Sequence, residues 1–336
     1  MLTRINDSTN AGEARRQAAV VGEEAQLSES ERGALAIVVT EITTNVLKHA
    51  GTGIVMIDSV TQNGHRGVRV LGLDHGHGIG DLAAALRDGF SSSGTAGNGL
   101  GAIRRLSSEF DIYSMPERGT AVLSEIWPRE RRVHDGVFPL QVGVVCAPIR
   151  GEDVCGDGWS IRKAGDSALL MVVDGLGHGS GAAEAARTAE TVFRRSKTAS
   201  ISEILQETHD ALKATRGAAL ALVSVESESE RLSFAGVGNI GASIVTPDSS
   251  RGMVSHHGIV GHHLGKIQEF RFPWSAQSVL VMHSDGLKTN WSLESYPGIW
   301  HKHPALIAGV LYRDFTRDRD DVTVLVAKTA AGALQP

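Results

Sequence analysis

A charged break near the middle of the chain divides it into two halves with different residue patterns. Residues 128–136 read Pro-Arg-Glu-Arg-Arg-Val-His-Asp-Gly and carry little apolar content. This composition is typical of an exposed linker. At roughly 100–200 residues per domain, the 336 residues are enough for about two domains. We therefore predict two domains, residues 1–128 and 138–330, joined by a linker over 129–137.

The first half combines long helices with short strands. Ser28 and Glu31 form a capping-box pattern, which starts a second helix after an alanine- and glutamate-rich first one. Apolar runs on both sides of Asn63-Gly64 then predict a hairpin. The predicted elements are helices over 11–26, 28–50 and 100–110, and strands over 54–60, 68–73 and on both sides of the 117–119 turn.

The second half is mostly strands, with three helices between them. The predicted strands cover 140–147, 168–173, 218–225, 232–235, 242–246, 278–283 and 322–327. The predicted helices cover 181–194, 201–215 and 304–315. Runs of strands with segregated helices favour a sandwich, so we assign the chain to the α+β class.

Composition excludes several classes of protein. The chain has 33 basic and 38 acidic residues, a formal net charge of −5, which does not match the basic surface of a dedicated nucleic-acid binder. Its apolar runs are far shorter than the roughly 18 residues of a membrane span. Its first residues do not have the pattern of a signal peptide, and two cysteines suit a reducing compartment. We therefore predict a cytoplasmic protein with no nucleic-acid or membrane partner.

Glycine is concentrated in one segment of the first half. The chain contains 39 glycines, and nine of the thirty residues from 72 to 101 are glycine. Asp74-His-Gly-His-Gly follows a predicted strand, and Gly97-Asn-Gly-Leu-Gly opens a predicted helix. Backbone N–H groups at a glycine-rich helix N-terminus form a cradle for anions. Taken alone, a glycine turn such as the Asp74 segment is more often structural than functional.

Three polar residues share one face of the predicted second helix. Glu41, Asn45 and His49 are spaced i, i+4 and i+8. By themselves they are also consistent with a solvent-exposed face. Followed in order by the two glycine-rich motifs, they resemble the GHKL ATPase fold. Residues 88–111 narrow this resemblance to the RsbT-like switch kinases of the bacterial stressosome, and it extends over residues 4–127.

This resemblance implies a domain with helices on one face of a mixed sheet, which binds ATP and Mg²⁺. It implies that Glu41 is the general base towards a Ser or Thr hydroxyl and that Asn45 holds Mg²⁺. Asp74 would accept a hydrogen bond from the adenine amino group, and Thr120 would support the adenine end. The nucleotide pocket would be shaped by Gly76, Gly78, Gly97, Gly99, Leu100 and Gly101. Phosphoryl transfer needs mainly positioning and charge stabilisation, which such a set supplies.

Aspartates at the ends of predicted strands distinguish the second half. They are Asp157, Asp174, Asp285 and the adjacent pair Asp320 and Asp321. An acidic residue at the end of a buried strand is costly unless a cation or hydrogen-bond donors satisfy it. A single Asp-Gly is usually a turn, whereas several at strand ends favour convergence on metal ions. Oxygen ligands favour Mg²⁺ or Mn²⁺ over zinc.

The sequence segments around these aspartates, in this order, resemble the SpoIIE-type, RsbX-like branch of the metal-dependent PPM (type-2C-like) phosphatases over residues 138–328. The resemblance implies an αββα sandwich with two Mn²⁺ or Mg²⁺ ions. The implied metal ligands are Asp157, Asp174, the carbonyl of Gly175, Asp285 and Asp320. A water bridging the two metals would attack phosphorus in line, without a phosphoenzyme.

Several roles stay open at this point. His178 is a candidate general acid or a packing residue, and Arg150 is a candidate to bind the phosphoryl group. Glu152 is either a solvated turn residue or a residue that supports a ligand. The pairs His75/His77, His256-His257 and His262-His263 are more readily explained as polar loop residues than as metal ligands.

Together the two resemblances imply a phospho-regulator of a bacterial partner-switching pathway. Its phosphatase domain would act on phosphorylated STAS-domain proteins, and its ATP domain would be a serine kinase of the same pathway. Two alternatives remain: an ATP domain that docks a STAS protein without catalysis, and a scaffold that has lost both activities. Intact Glu41 and the set of aspartates argue against the scaffold.

Overall fold

The computed structural model of the chain divides into two compact units, Met1–Gly136 and Val137–Pro336. It describes residues 1–62, 64–86, 99–129, 138–226 and 228–330. Of the predicted linker, 129–137, only Arg129 lies among these residues. Within the described ranges, no helix is long and apolar enough to cross a lipid bilayer.

The first unit is a five-stranded sheet covered by helices. Its helices are α1 (Ser8–Glu24), α2 (Glu29–His49), α3 (Leu82–Ala85) and α4 (Gly99–Leu106). Its strands are β1 (Leu2–Ile5), β2 (Gly53–Gln62), β3 (His65–Asp74), β4 (Glu109–Met115) and β5 (Gly119–Ile126). The strand order is β1-β2-β3-β5-β4. Every pairing in this sheet is antiparallel, so it is not the mixed sheet that we expected.

Helix α2 begins at the predicted capping box. The Ser28 side chain accepts a hydrogen bond from the backbone of Glu31, whose carboxylate accepts one from the backbone N–H of Ser28, so this prediction is confirmed. The helix buries a stripe that includes Leu35, Ile42 and Val46 in the core of the unit. Glu41 and Asn45 are only partly buried and lie beside this stripe.

The predicted helix over 100–110 is wrong in its last part. Helix α4 ends at Leu106, and Glu109 begins strand β4. At this end of the helix the Ser107 hydroxyl donates to the Ile103 carbonyl at 2.7 Å. The next backbone N–H, of Ser108, already donates across to the Glu125 carbonyl on β5.

The second unit has four layers. Its strands are β6 (Leu140–Ala147), β7 (Asp157–Ala164), β8 (Ser167–Gly175), β9 (Ala218–Glu226), β10 (Arg231–Val237), β11 (Gly241–Thr246), β12 (Ser249–Met253), β13 (Phe270–Pro273), β14 (Val279–His283) and β15 (Val322–Thr329). Its helices are α5 (Ser180–Arg195), α6 (Ile201–Leu212) and α7 (Pro304–Phe315). One sheet has the order β13-β10-β9-β8-β7 and the other β12-β11-β14-β15-β6. Helices α5 and α6 cover the first sheet and α7 covers the second, which confirms the αββα sandwich.

Strand β8 shows why the central strands are continuously apolar. Leu170 and Val172 point into the core between the two sheets, whereas Leu169 and Met171 point into the core under α5 and α6. Side chains of a strand alternate between its faces, so a strand covered on both faces needs apolar residues throughout. This arrangement carries Asp174 to the end of a rigid, buried strand.

The predictions missed three strands of this unit, β7, β12 and β13. Strand β7 begins in Gly156-Asp157-Gly158, which has the composition of a turn, and continues through charged Arg162 and Lys163. Strands β12 and β13 are outer strands of their sheets. Strand β12 is mostly exposed and the four residues of β13 alternate between half-buried and exposed, so neither has an apolar run. Helix α6 also ends at Leu212, earlier than the predicted residue 215.

Candidate active sites

Asp74 stands at the end of β3 in the first unit and joins two backbone segments. Its Oδ1 accepts hydrogen bonds from the Gly76 N–H at 2.8 Å and the Thr120 N–H at 3.1 Å. Gly119 permits this approach, since it has φ +88° and a Cβ there would strike the carbonyl of Asp74. Asp74, Gly76 and Thr120 are therefore brought together as predicted positions of one site.

The hairpin between β4 and β5 adds a residue that sequence reasoning missed. Ser114 pairs with Thr120 across the hairpin, and their hydroxyl oxygens lie 2.8 Å apart. The Ser114 hydroxyl also accepts a hydrogen bond from the Ile79 N–H at 2.8 Å, in the loop after Asp74. The one sequence signal for Ser114 is the predicted hairpin around residues 117–119, which places it across from Thr120.

Glu41 and Asn45 meet the start of α4. A Cβ at Gly99 would lie 3.0 Å from Glu41 Oε2 and 3.5 Å from Asn45 Oδ1, so the absence of a side chain there leaves room for both groups. The first turn of α4 presents backbone N–H groups towards the same region. Leu100 packs against the core of the unit and Gly101 is buried. Gly97 lies outside the described residues.

The residues around Asp74 and the residues around Glu41 lie along the same helix, α2. Gly76 packs against the end of α2, because a Cβ there would lie 2.7 Å from the carbonyl oxygen of His49. Helical rise of about 1.5 Å per residue separates Glu41 from His49 by about 12 Å along the axis. The first unit therefore has an elongated candidate site, with Asp74 and Thr120 at one end and Glu41, Asn45 and the start of α4 at the other.

In the second unit, Asp157 and Asp174 face each other across the β7–β8 pair. Asp157 is buried, and its Oδ2 accepts a hydrogen bond from the Ser284 hydroxyl at 2.6 Å. Its other oxygen, Oδ1, is buried and has no donor in good hydrogen-bond geometry among the residues that the structure describes, although the Thr323 side chain is near enough to lower the pKa of the carboxyl. Such an oxygen is costly unless a cation or a donor satisfies it.

Ser284 ties the two sheets together at this point, and sequence reasoning missed it. It lies at the end of β14, where its backbone N–H donates to the Thr323 carbonyl and its hydroxyl accepts from the Thr323 N–H at 2.9 Å. The same hydroxyl donates to Asp157 of the other sheet. The signal for it was its place directly before Asp285.

The charges of the predicted carboxylates act on one another. Burial, together with the neighbouring charges of Asp157, Asp285 and Asp320, raises the pKa of Asp174 to about 9. Burial also raises the pKa of Asp157 well above its ordinary range. The pKa of Asp285 is raised by burial and by Asp320, although Arg317 and a hydrogen bond from Asn239 at 2.7 Å oppose this.

The adjacent aspartates at the start of β15 have different roles. Asp321 is buried, and its two oxygens accept hydrogen bonds from the Ile149 N–H and the Gly156 N–H, each at 2.8 Å. Asp321 therefore holds the segment before β7 in place. Asp320 is only partly buried and faces the other carboxylates, which agrees with its predicted place in the set.

The donor set suits a hard divalent cation that retains water. All four predicted side-chain ligands are carboxylates, the oxygen donors that Mg²⁺ and Mn²⁺ prefer. No three His, Cys, Asp or Glu side chains in the described ranges form a ready-made metal-binding group. Mg²⁺ bound by carboxylates commonly keeps several water ligands. The orphaned Asp157 Oδ1 and the raised pKa values fit this arrangement.

A glycine-rich turn follows Asp174 and Gly175 and borders the carboxylates. His178 Nδ1 lies 3.1 Å from Glu152 Oε1, so the structure brings together two residues whose roles were open. The Arg216 guanidinium lies against this turn, since a Cβ at Gly177 would be 3.3 Å from its Nη1, which donates to the His178 carbonyl at 3.5 Å. Arg216 is exposed, and sequence reasoning missed it; Arg150, the earlier candidate, is also exposed.

Comparison with known proteins identifies both units. Residues 6–124 match the histidine kinase-like ATPase domain family, and residues 164–330 match the family of stage II sporulation protein E, SpoIIE. The chain therefore belongs to the histidine kinase-like ATPase family in its first unit, and this domain is fused to a SpoIIE domain. The predicted fusion is confirmed, and it implies ATP for the first unit and divalent metals for the second.

The chain is similar to two proteins of Bacillus subtilis strain 168 with opposite activities. It is 35% identical to the serine/threonine-protein kinase RsbT over 91 residues, which are 27% of this chain and 68% of RsbT. It is 24% identical to the phosphoserine phosphatase RsbX over 140 residues, 41% of this chain and 69% of RsbX. A solved structure described as the bacterial stressosome, a modular system adapted to control secondary messenger signalling, is 27% identical with a TM-score of 0.53 and covers 56% of this chain and 99% of its own.

Proposed function

We propose that the chain is a phospho-regulator of a bacterial partner-switching pathway whose second unit is a metal-dependent serine/threonine protein phosphatase. The observation that carries this proposal is the pairing of Asp157 with Asp174 across β7 and β8, with the charge of Asp285 acting on Asp174 and the pKa of all three raised. A buried set of like charges is costly unless cations neutralise it. Similarity to a phosphoserine phosphatase supports the same chemistry.

In this proposal, residues of the second unit bind the metal ions, orient the metal ligands and bind the substrate. Asp157, Asp174, Asp285, Asp320 and the Gly175 carbonyl hold two Mn²⁺ or Mg²⁺ ions, which when bound acidify a water and neutralise phosphoryl oxygens. Ser284 orients Asp157 through its hydrogen bond to Oδ2, and Asn239 does the same for Asp285. Arg216, whose guanidinium lies against the glycine-rich turn, binds the phosphoryl group of the substrate.

The first unit, in the same proposal, binds ATP with Mg²⁺ and phosphorylates a serine or threonine of a STAS-domain protein. Glu41 acts as general base and Asn45 holds Mg²⁺, because both lie against the start of α4 where backbone N–H groups can bind phosphate. Asp74 and Thr120 hold the adenine end. Similarity to a serine/threonine-protein kinase supports the kinase activity.

The deciding experiment uses purified STAS-domain proteins of the same organism, labelled ATP, Mg²⁺ and Mn²⁺. We expect the wild-type chain to leave little phosphate on its partner, Asp174→Asn to accumulate phosphate, and Glu41→Gln only to remove it. Asp166→Asn and Glu24→Gln, at exposed positions away from both sites, are the matched controls and should behave as wild type.

Each outcome assigns a function. Full phosphatase activity in EDTA or in Asp174→Asn would exclude the metal-dependent mechanism. Absence of phosphate transfer by Asp174→Asn to every STAS protein, with binding retained, would establish the alternative in which the ATP domain docks its partner without catalysis.

A further inference from the structure

Two thiols lie beside the candidate metal centre of the second unit. Cys146 Sγ is 3.6 Å from Cys155 Sγ, and Cys146 is exposed whereas Cys155 is half-buried. They are the only two cysteines in the sequence. A disulfide has a sulfur–sulfur distance of about 2.05 Å, so closing this pair requires a movement of about 1.5 Å.

That movement falls on the Cys155 side. Cys146 is part of β6 and pairs with Thr323 of β15, so the ladder of the sheet holds it. Cys155 lies in the connection before β7, outside any helix or strand. The connection that contains Cys155 therefore moves more easily than strand β6.

The same segment carries a predicted metal ligand. Asp157 follows Cys155 by two residues, and its carbonyl oxygen is 3.9 Å from Cys146 Sγ. Gly156, between them, donates to Asp321 Oδ2 at 2.8 Å and accepts from the Gly175 N–H at 3.1 Å. Pulling Cys155 towards β6 therefore strains the bonds that place Asp157 opposite Asp174.

We propose that Cys146 and Cys155 are a peroxide-oxidised modification site that lowers the metal affinity of the phosphatase centre. The exposed Cys146 thiolate attacks hydrogen peroxide, which forms a sulfenic acid and releases one water after protonation. The Cys155 thiol then displaces the sulfenic oxygen as a second water and forms the disulfide. Two thiols lose two protons and two electrons, one peroxide is reduced to two waters, and a dithiol reductant reverses the change.

The first test is chemical and does not depend on the proposed function. The reduced full-length chain is treated with hydrogen peroxide and its intact mass is measured before and after alkylation. We expect a monomer that has lost the mass of two hydrogen atoms and resists alkylation at both thiols, whereas Cys146→Ser and Cys155→Ser do not form this product. Retention of both thiols, addition of oxygen alone, or a covalent dimer would overturn the proposal.

The second test, which rests on the proposed metal centre, is Mn²⁺ titration by calorimetry. Because displacement of supporting groups costs about tenfold or more in metal affinity, the oxidised chain should bind about tenfold more weakly, and dithiothreitol should restore binding. Peroxide-treated Cys155→Ser should bind as its untreated form does, which separates the disulfide from oxidation elsewhere. Equal affinity of the oxidised and reduced chain refutes the coupling, and failure of the reduced chain to bind Mn²⁺ refutes both the coupling and the proposed centre.

Discussion

The two carboxylate oxygens of Asp74 have different roles, because Oδ1 already accepts hydrogen bonds from two backbone N–H groups. Asp74→Asn can keep the acceptor Oδ1 for Gly76 and Thr120 but replaces the second oxygen with an NH₂ donor. That donor cannot pair with the adenine amino group, so we expect nucleotide affinity to fall about tenfold or more. Calorimetric titration with a non-hydrolysable ATP analogue and Mg²⁺ measures this change. Exposed Asp58→Asn is the control, and unchanged affinity in Asp74→Asn would refute the adenine assignment.

Arg216 decides whether the glycine-rich turn recognises phosphate. Its guanidinium lies against Gly181, and the backbone beside it joins the turn through a bond from the Leu176 N–H to the Gly217 carbonyl. We expect Arg216→Ala to raise KM for a phosphoserine peptide about tenfold with a smaller effect on kcat, and Arg216→Lys to retain part of the affinity. Arg150→Ala is the matched comparison. An increase of KM in Arg150→Ala and none in Arg216→Ala would transfer the role to Arg150.

Among the elements of the second unit, Ser284 links β14 and β15 of one sheet to β7 of the other. Ser284→Ala removes the donor to the buried Asp157 Oδ2 and the acceptor of the Thr323 N–H. Leaving such groups unpaired costs about 1–3 kcal/mol, so we expect that loss in the free energy of unfolding in EDTA and weaker Mn²⁺ binding. Urea unfolding and calorimetry measure the two effects. Exposed Ser250→Ala should change neither, and wild-type stability in Ser284→Ala would show that the link is not needed.

Asp174, at the end of β8, should make the stability of the metal-free second unit depend on pH. The pKa of Asp174 is raised to about 9 in the folded chain, so between about pH 4 and pH 9 the folded state retains a proton that the unfolded state releases. Stability in EDTA should therefore fall as pH rises through this window. Asp174→Asn should flatten the dependence and raise the melting temperature at pH 8 by several degrees. Thermal melts from pH 5 to 9 in EDTA test this, and parallel curves for the two proteins would contradict it.

The elements that sequence predicted best are those whose signal is local. The capping box of Ser28 and Glu31 and the apolar runs of β6 and α7 need no partner to be recognised. Strand β7 was missed because much of it is polar and its strand conformation depends on pairing with β8. The same division holds for the sites: helical spacing placed Glu41 beside Asn45, whereas Ser284 and Arg216 acquire their roles only when distant segments meet.

At the scale of the whole molecule, each candidate site is built from residues of one unit. Asp74, Thr120, Glu41 and Asn45 belong to the first, and all predicted carboxylate ligands belong to the second. We therefore expect residues 1–129 and 138–336, produced separately, to bind nucleotide and Mn²⁺ with the affinities of the full chain. Loss of either binding in the separated unit would show that its site needs the other.

Fusion should then matter through concentration, because two modules on one chain meet a shared partner at an effective concentration that can reach the millimolar range. A STAS protein phosphorylated by the first unit stays within reach of the second, so the full chain should leave less steady-state phosphate on it than an equimolar mixture of the separate units at micromolar concentration. Labelled ATP and one STAS substrate measure this difference. A chain carrying Glu41→Gln mixed with one carrying Asp174→Asn is the control, since it keeps both folds but separates the two activities. Equal phosphate levels in the full chain and in both mixtures would mean that the units act independently and that their fusion serves another purpose than resetting one partner.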